Sequence, residues 1–273
     1  DLTSISDLQF SCDFSNLKSV SVGWQDPIAA GTFFGDANMS NCTLYVPQGT
    51  KLPYAIADVW KNFGNIIEYN NQVTITLEQP GTLPQKISDF DKNLITHLKI
   101  KGKINGTDLR FIREMAGVSV SGEKTDGELA NLDLSEAQIV SGGDCYYQDY
   151  FNNKHYTSDD ELGVCAFLKC SSLKAISLPG DLKSVGESAF DGCSSLETLN
   201  LPSGITSIGD YAFYGCSSLR SLPLPSGLIS IGDGAFRECY SLTSLEFPSS
   251  LTTLGDAVLG GCFGLTNLTL HSG

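Results

Sequence analysis

From residue 163 the chain repeats itself every 23 residues, and this period constrains the fold more than any other feature of the sequence. The blocks GVCAFLKCSSLKAISLPGDLKSV, GESAFDGCSSLETLNLPSGITSI, GDYAFYGCSSLRSLPLPSGLISI and GDGAFRECYSLTSLEFPSSLTTL are followed by a partial GDAVLGGCFGLTNLTLHSG. They share the frame G-x-x-A-F-x-x-C-x-S-L-x-x-L-x-L-P-x-x-L-x-x-I, with Cys170, Cys193, Cys216, Cys239 and Cys262 in register. In L-x-x-L-x-L the last apolar positions alternate with polar ones, the pattern of a half-buried strand. Leu196, Leu199 and Leu201 are therefore predicted to point inward, and Thr198 and Asn200 outward. Pro202 and Gly204 end that strand, since proline donates no ladder hydrogen bond and glycine accepts turn geometry. Ile205 and Ile208 return to the core, and A-F-x-x-C fits a short helical turn placing Ala212, Phe213 and Cys216 inside. One such coil cannot bury both faces alone. Stacked coils can, which makes a solenoid with a parallel sheet along one side.

The frame resembles the BspA-like leucine-rich repeats of bacterial surface proteins, specifically over 163–273. The likeness extends with decreasing regularity over 94–162, where Leu98-x-Ile100 and Leu129-x-x-Leu132-x-Leu134 read as strands of longer rungs. It implies an α/β solenoid, a right-handed leucine-rich-repeat stack with a parallel sheet and short helical turns. It also implies a non-enzymatic cell-surface or secreted protein serving adhesion or protein–protein interaction, with an extracellular or host protein as partner.

The N-terminal segment breaks the period but keeps its vocabulary. N-L-K-S-V-S-V and C-T-L-Y-V-P read as strands, and Tyr54, Ala55, Ala57, Val59, Trp60 and Phe63 fall close to one stripe of a short amphipathic helix that Gly64 would stop. C-T-L-Y-V-P-x-G-T, W-K-x-F and N-I-x-E also look like the closing unit of BspA-like arrays, whose apolar side covers the end of a stack. The expected organisation is a short repeat remnant with closing cap over 1–69, then an array over 70–273. That array divides into irregular starting rungs at 70–162 and regular repeats at 163–273. Thr107 and Asp108 are expected to cap a helix through Leu109, Phe111, Ile112 and Met115. The sequence opens at Asp1 without an initiator Met or a signal-like stretch, as a mature or trimmed form does. Its last strand, 265–270, precedes no closing unit: either the sequence stops short of one, or that open edge meets a partner through weak self-association.

Seventeen Lys and Arg against 31 Asp and Glu give a net charge of −14, the wrong balance for gripping nucleic acid phosphates or an anionic membrane. No apolar run approaches the ~18 residues of a membrane span. The odd cysteine count, nine, excludes complete internal pairing. Coils stacked about 4.8 Å apart hold equivalent Cβ atoms slightly beyond disulfide reach, so the five in-register cysteines read as a buried ladder of thiols acting as small hydrophobes. Cys12, Cys42, Cys145 and Cys165 lie off that ladder, with Cys145, in a polar loop, the most exposed. No C-x-x-C pair, nucleophile elbow or phosphate-binding glycine motif is present. His97, His155 and His271 are scattered, and no catalytic, cofactor-binding or metal-binding residue is assigned.

Two regions carry candidate ligand contacts. The stretch 141–161, read as a long loop, holds Tyr146, Tyr147, Tyr150 and Tyr156 among several carboxylates. It supports the alternative of a glycan-binding accessory protein of the cell envelope. On the outward strand face the candidates are Thr198, Asn200, Arg220 and Glu246. That face is small, polar and free of aromatics, whereas strong protein contacts favour Trp, Tyr and Arg.

Overall fold

The alternating strands and the 23-residue period build two separate units, residues 1–71 and 72–273, in a computed structural model that describes residues 14, 16–31, 33–34, 37–69 and 71–271. Cys12 lies outside these residues.

In the first unit β1 (Ser19–Ser21), β2 (Thr43–Pro47) and β3 (Asn65–Tyr69) pair in parallel, in that order. Leu44 and Val46 alternate inward from β2 onto a core of Phe34, Tyr54, Trp60 and Phe63. The single helix expected over 54–63 is instead two pieces, α1 (Lys51–Ile56) and a 3-10 turn at Trp60–Asn62. Between them Ala57 is extended and Val59 is left-handed (φ 74). The break aims the buried Trp60 so that its indole N–H donates to the Ile28 carbonyl at 2.8 Å, while Tyr54 Oη donates to the Trp24 carbonyl. A buried polar edge must find such partners, and this requirement outweighs helix continuity.

The second unit opens with β4 (Gln72–Leu77), followed by α2 (Leu83–Lys86), α3 (Asp89–Lys92), β5 (His97–Ile104), α4 (Gly106–Met115) and β6 (Asn131–Ile139). The α4 helix starts one step before the expected caps. Asn105 is extended and its side chain accepts from the Thr107 amide, while Asp108 reaches back to the Asn105 amide, a reciprocal capping box. Asp108 is wholly buried and also accepts from the amides of Gly81 and Leu83, so its charge is satisfied by three backbone donors that tie α4 to the start of α2. Next comes an antiparallel hairpin, β7 (Gly142–Gln148) with β8 (Lys154–Thr157), where sequence reading placed an irregular loop.

From β9 (Glu161–Leu162) onward each coil has three walls. The front wall holds β10 (Ala175–Ser177) and β12 (Thr198–Asn200), continuing the sheet as β4-β5-β6-β10-β12. A rear wall, missed by the sequence reading, joins β9, β11 (Ser184–Val185), β13 (Ser207–Ile208), β14 (Ser230–Ile231) and β16 (Thr253–Leu254) in a second parallel sheet. The front ladder is interrupted at the coil holding Pro223, which lacks an N–H at an outward strand position. It resumes through a Ser221–Ser244 bridge into β15 (Ser244–Phe247) and β17 (Asn267–Leu270).

At the third wall A-F-x-x-C forms no helix. Residues Cys165, Ser188, Tyr211, Gly234 and Ala257, and again Lys169, Gly192, Gly215, Glu238 and Gly261, have positive φ, which interrupts helical continuation in every coil. The freed amides donate to the next coil instead: Phe167 to Ala189, Phe190 to Ala212 and Phe213 to Ala235, at 2.7, 2.7 and 2.8 Å. Inside this wall Phe167, Phe190, Phe213 and Phe236 stack face on face, with centroids 5.2–5.5 Å apart and planes within 12°. The core runs through the unit as one continuous cluster.

Candidate functional site

Parallel pairing without stagger sets the outward residues of the front wall in rows. One row runs Gln72, His97, Asn131, Ala175, Thr198; the next runs Thr74, Lys99, Asp133, Ser177, Asn200. A shallow groove of about 410 Å³ follows them across β4, β5, β6 and β10. Charges in and beside it are matched: Lys99 and Asp133, which line it, lie 2.9 Å apart, and next to the groove Glu136 takes Lys99 Nζ at 2.8 Å on one oxygen and Lys101 Nζ at 2.9 Å on the other. Hydrogen bonds that the Lys99 ammonium donates to Glu136 and Asp133 hold its pKa up. Lys101, then Lys99, hold the Glu136 carboxyl down. Partial burial pushes Asp133 upward, but the Ser135 hydroxyl and amide together with Lys99 outweigh it and leave its pKa lowered. His97 is held between Thr96 Oγ1 and the Asn131 side-chain amide, each at 2.9 Å.

A second groove of about 410 Å³ crosses Ser221, Pro223, Ser244, Glu246, Asn267 and Thr269. Thr198, Asn200, Arg220 and Glu246 are all exposed, as the strand pattern required. Glu246 lies 2.6 Å from His271 Nε2. The structure thus aligns Thr198 and Asn200 with the first rows and places Glu246 on the second groove. The Lys99–Lys101–Asp133–Glu136 network has no counterpart among the sequence expectations. Its signal was present: Lys99 and Lys101 alternate with Leu98 and Ile100, and Asp133 alternates with Leu132 and Leu134, but opposite charges on adjacent strands become a pair only once register is known.

The tyrosine-rich stretch divides sharply. Tyr146 is buried (1% exposed) and its hydroxyl donates to the Val164 carbonyl at 2.7 Å, so it anchors the hairpin and is unavailable to a ligand, contrary to the sequence expectation. Tyr147 is half-buried, stacked on His155 and covered by the Arg113 guanidinium at 5.0 Å. Arg113 itself is buried and donates to the carbonyls of Cys165 and Ala166. Tyr150 is 97% exposed beside Phe151 at the hairpin tip, and Tyr156 is exposed. Asp149 closes that tip by accepting from the amides of Phe151 and Asn153 and from the Asn153 side chain, which holds its carboxyl pKa low.

All eight cysteines among the described residues are free thiols. The ladder members are more than small hydrophobes: Cys193, Cys216, Cys239 and Cys262 donate from Sγ to the carbonyls of Phe167, Phe190, Phe213 and Phe236, one coil back, at 3.0–3.2 Å. Burial raises every ladder thiol pKa, to about 11 at Cys170 and well above normal at Cys193 and Cys216, so the proton each bond needs stays in place. Cys145 sits half-buried in β7, and burial raises Cys165 to about 11. Among the described residues no group of three or more His, Cys, Asp and Glu is placed to hold a metal ion, and no helix is long and apolar enough to cross a membrane.

With this three-walled coil in view, residues 160–273 match the BspA type Leucine rich repeat region in six copies. This part of the chain is a BspA-type leucine-rich repeat array. A leucine-rich repeat protein from T. pallidum is 31% identical over 40% of this chain and 62% of its own, with a TM-score of 0.38. One from Bacteroides ovatus ATCC 8483 is 34% identical over 43% of this chain and 30% of its own, with a TM-score of 0.40. Pneumococcal vaccine antigen PcpA is 14% identical over 96% of this chain and 58% of its own, with a TM-score of 0.37. The chain spans less than two thirds of each of these structures. No curated protein matches it. The BspA-type array begins just before β9, so the rear wall starts with the matched region.

Proposed function

We propose that this is a non-enzymatic interaction protein, acting at a cell surface or in secreted form, whose front wall meets an extracellular or host protein. One observation carries the reading: two shallow grooves lie on the parallel front wall, on either side of the break at Pro223, and its outward residues are mostly polar, aligned and not required by the core. The BspA-type array supports it, since its repeats resemble those of bacterial surface proteins. In this reading residues 1–69 are a capped remnant and 70–273 the working array. The test is biolayer interferometry against a panel of secreted and cell-surface proteins. Thr198→Arg with Asn200→Arg places bulk and charge on the front wall without touching the core. It is expected to weaken a genuine partner at least about tenfold, or about 1.4 kcal/mol. Unchanged binding of every partner would remove the front wall from the proposal.

A second reading, a glycan-binding accessory protein of the cell envelope, is favoured by the hairpin tip. Tyr150 and Phe151 are 97% and 82% exposed and meet edge to face at 5.9 Å, on a hairpin pinned by Tyr146. Reproducible sugar binding on a glycan array, lost in the Tyr150→Ser, Phe151→Ser variant, is the expected signature. A blank array with the unaltered protein would eliminate it.

A further inference from the structure

The third wall carries a surface that neither groove uses, and it departs from the repeat's own rule. After each ladder cysteine the frame places a small residue, Ser171, Ser194 and Ser217, yet the next two coils have Tyr240 and Phe263. One coil also has Tyr211 where its neighbours have Ser188 and Gly234, and Tyr214 where the coil before has Asp191. None of these rings joins the stacked phenylalanine column. Tyr211, Tyr240 and Phe263 are 41%, 46% and 87% exposed.

The four rings form one continuous strip. Tyr211 and Tyr214 meet edge to face at 6.1 Å, and Tyr240 stacks on Phe263 at 6.0 Å with planes 5° apart. Glu238 joins the two pairs: Tyr240 donates to one of its carboxylate oxygens at 3.1 Å, and Arg237, beside the other oxygen, lies over the Tyr214 ring. Beneath Tyr211 lies Gly234, where even a Cβ would come within 2.6 Å of the ring, so the following coil leaves room for it. Exposed, mutually braced aromatic rings lose little conformational entropy on docking.

Charge defines the occupant. Asp210, Asp233 and Asp256 are exposed at one frame position, each carboxylate of the first two taking the amide of the next at 2.8 and 2.7 Å. Asp210 adjoins Tyr211, and Glu238 lies within the strip. The strip's own cation, Arg237, already lies over the Tyr214 ring at 6.0 Å, 3.8 Å from a Glu238 oxygen. Tyrosine faces flanked by carboxylates attract ammonium and guanidinium groups. We propose that this strip docks a protein segment bearing lysine or arginine side chains, with Arg237 occupying in the free protein the kind of place a partner's cation takes. The proposal stands independently of the front-wall reading.

The test uses a fluorescein-labelled peptide alternating lysine and leucine, its glutamate–leucine counterpart, and fluorescence anisotropy at low salt. The variant Tyr211→Ser, Tyr240→Ser, Phe263→Ser restores residues the repeat itself uses. It is expected to bind the lysine peptide at least about tenfold more weakly at an unchanged melting temperature. Should the triple variant melt early, Phe263→Ser alone, which changes a ring already 87% exposed, is expected to lose about threefold. Arg237→Ala uncovers Tyr214 and is expected to tighten the peptide about two- to fivefold. Equal affinity in the folded variants, equal binding of the glutamate peptide, or weakening by Arg237→Ala would overturn the proposal. A neutral oligosaccharide that binds where the lysine peptide does not, and is lost in the triple variant, would overturn it in favour of sugar.

Discussion

Phe213→Ala is expected to lower the free energy of unfolding of the 72–273 unit by about 4 kcal/mol, the upper part of the range for a truncated core aromatic. Phe213 is wholly buried and has a ring on each side, Phe190 at 5.2 Å and Phe236 at 5.5 Å, so the change deletes two stacking contacts along with the transfer free energy. Neighbouring rings cannot close the gap, because each is fixed at its own coil by backbone bonds such as Phe213 N–H to Ala235 at 2.8 Å. In a stack where each coil touches only its neighbours, a cavity in the middle also weakens coupling between the coils on either side. Urea unfolding should therefore show a lower midpoint and a shallower slope. A loss below about 1 kcal/mol would mean that the column relaxes freely, against this account.

Gly209→Ala is expected to cost about 3 kcal/mol, whereas Gly227→Ala should stay within about 0.5 kcal/mol of the unaltered protein. A Cβ on Gly209 would lie 2.5 Å from the Glu187 amide nitrogen and 2.8 Å from the Gly186 carbonyl carbon. Both are backbone atoms of the preceding coil, so relief requires moving a coil while its ladder bonds, including Gly209 N–H to Val185 at 2.8 Å, hold it in place. Gly232 and Gly255 meet the coil before them in the same way. Gly227 has no atom within 4 Å of the position a Cβ would take. Thermal melts of the two variants side by side provide the check, and equal melting temperatures would refute close coil spacing as the reason for the frame glycine.

The repeat makes the stacking, the inward leucines and the front strands legible in the sequence, because each is a local consequence of period and alternation. The rear wall was harder to see. Its strands are two residues long, as at Ser207–Ile208, and a pair of residues carries no period. The left-handed residues of the third wall were hidden for another reason: Ser188 and Tyr211 are not residue types that announce positive φ, and their conformation is imposed by amides bonding to the next coil. At the candidate site, exposure of Thr198 and Asn200 followed from alternation. The fate of Tyr146 did not, because adjacent tyrosines on one strand point to opposite faces and the polar stretch 141–161 carries no alternation that marks the strand. The Lys99–Asp133–Glu136 network needed the register between β5 and β6, including its shift between Lys99 and Lys101.

The cysteine ladder gives the solenoid an internal set of clocks. Cys170, Cys193, Cys216, Cys239 and Cys262 stand 23 residues apart, one to a coil, so peptides from a digest can report each separately. A thiol reacts with an alkylating reagent as the thiolate, and here burial keeps the proton on while the neighbouring coil's carbonyl holds the S–H at Cys193, Cys216, Cys239 and Cys262. At the buried Cys193, Cys216 and Cys239 labelling thus requires the coil to part from the one before it, and the time at which each of these three is marked measures the opening of one particular seam. A chain of this construction records where it comes apart without any introduced probe.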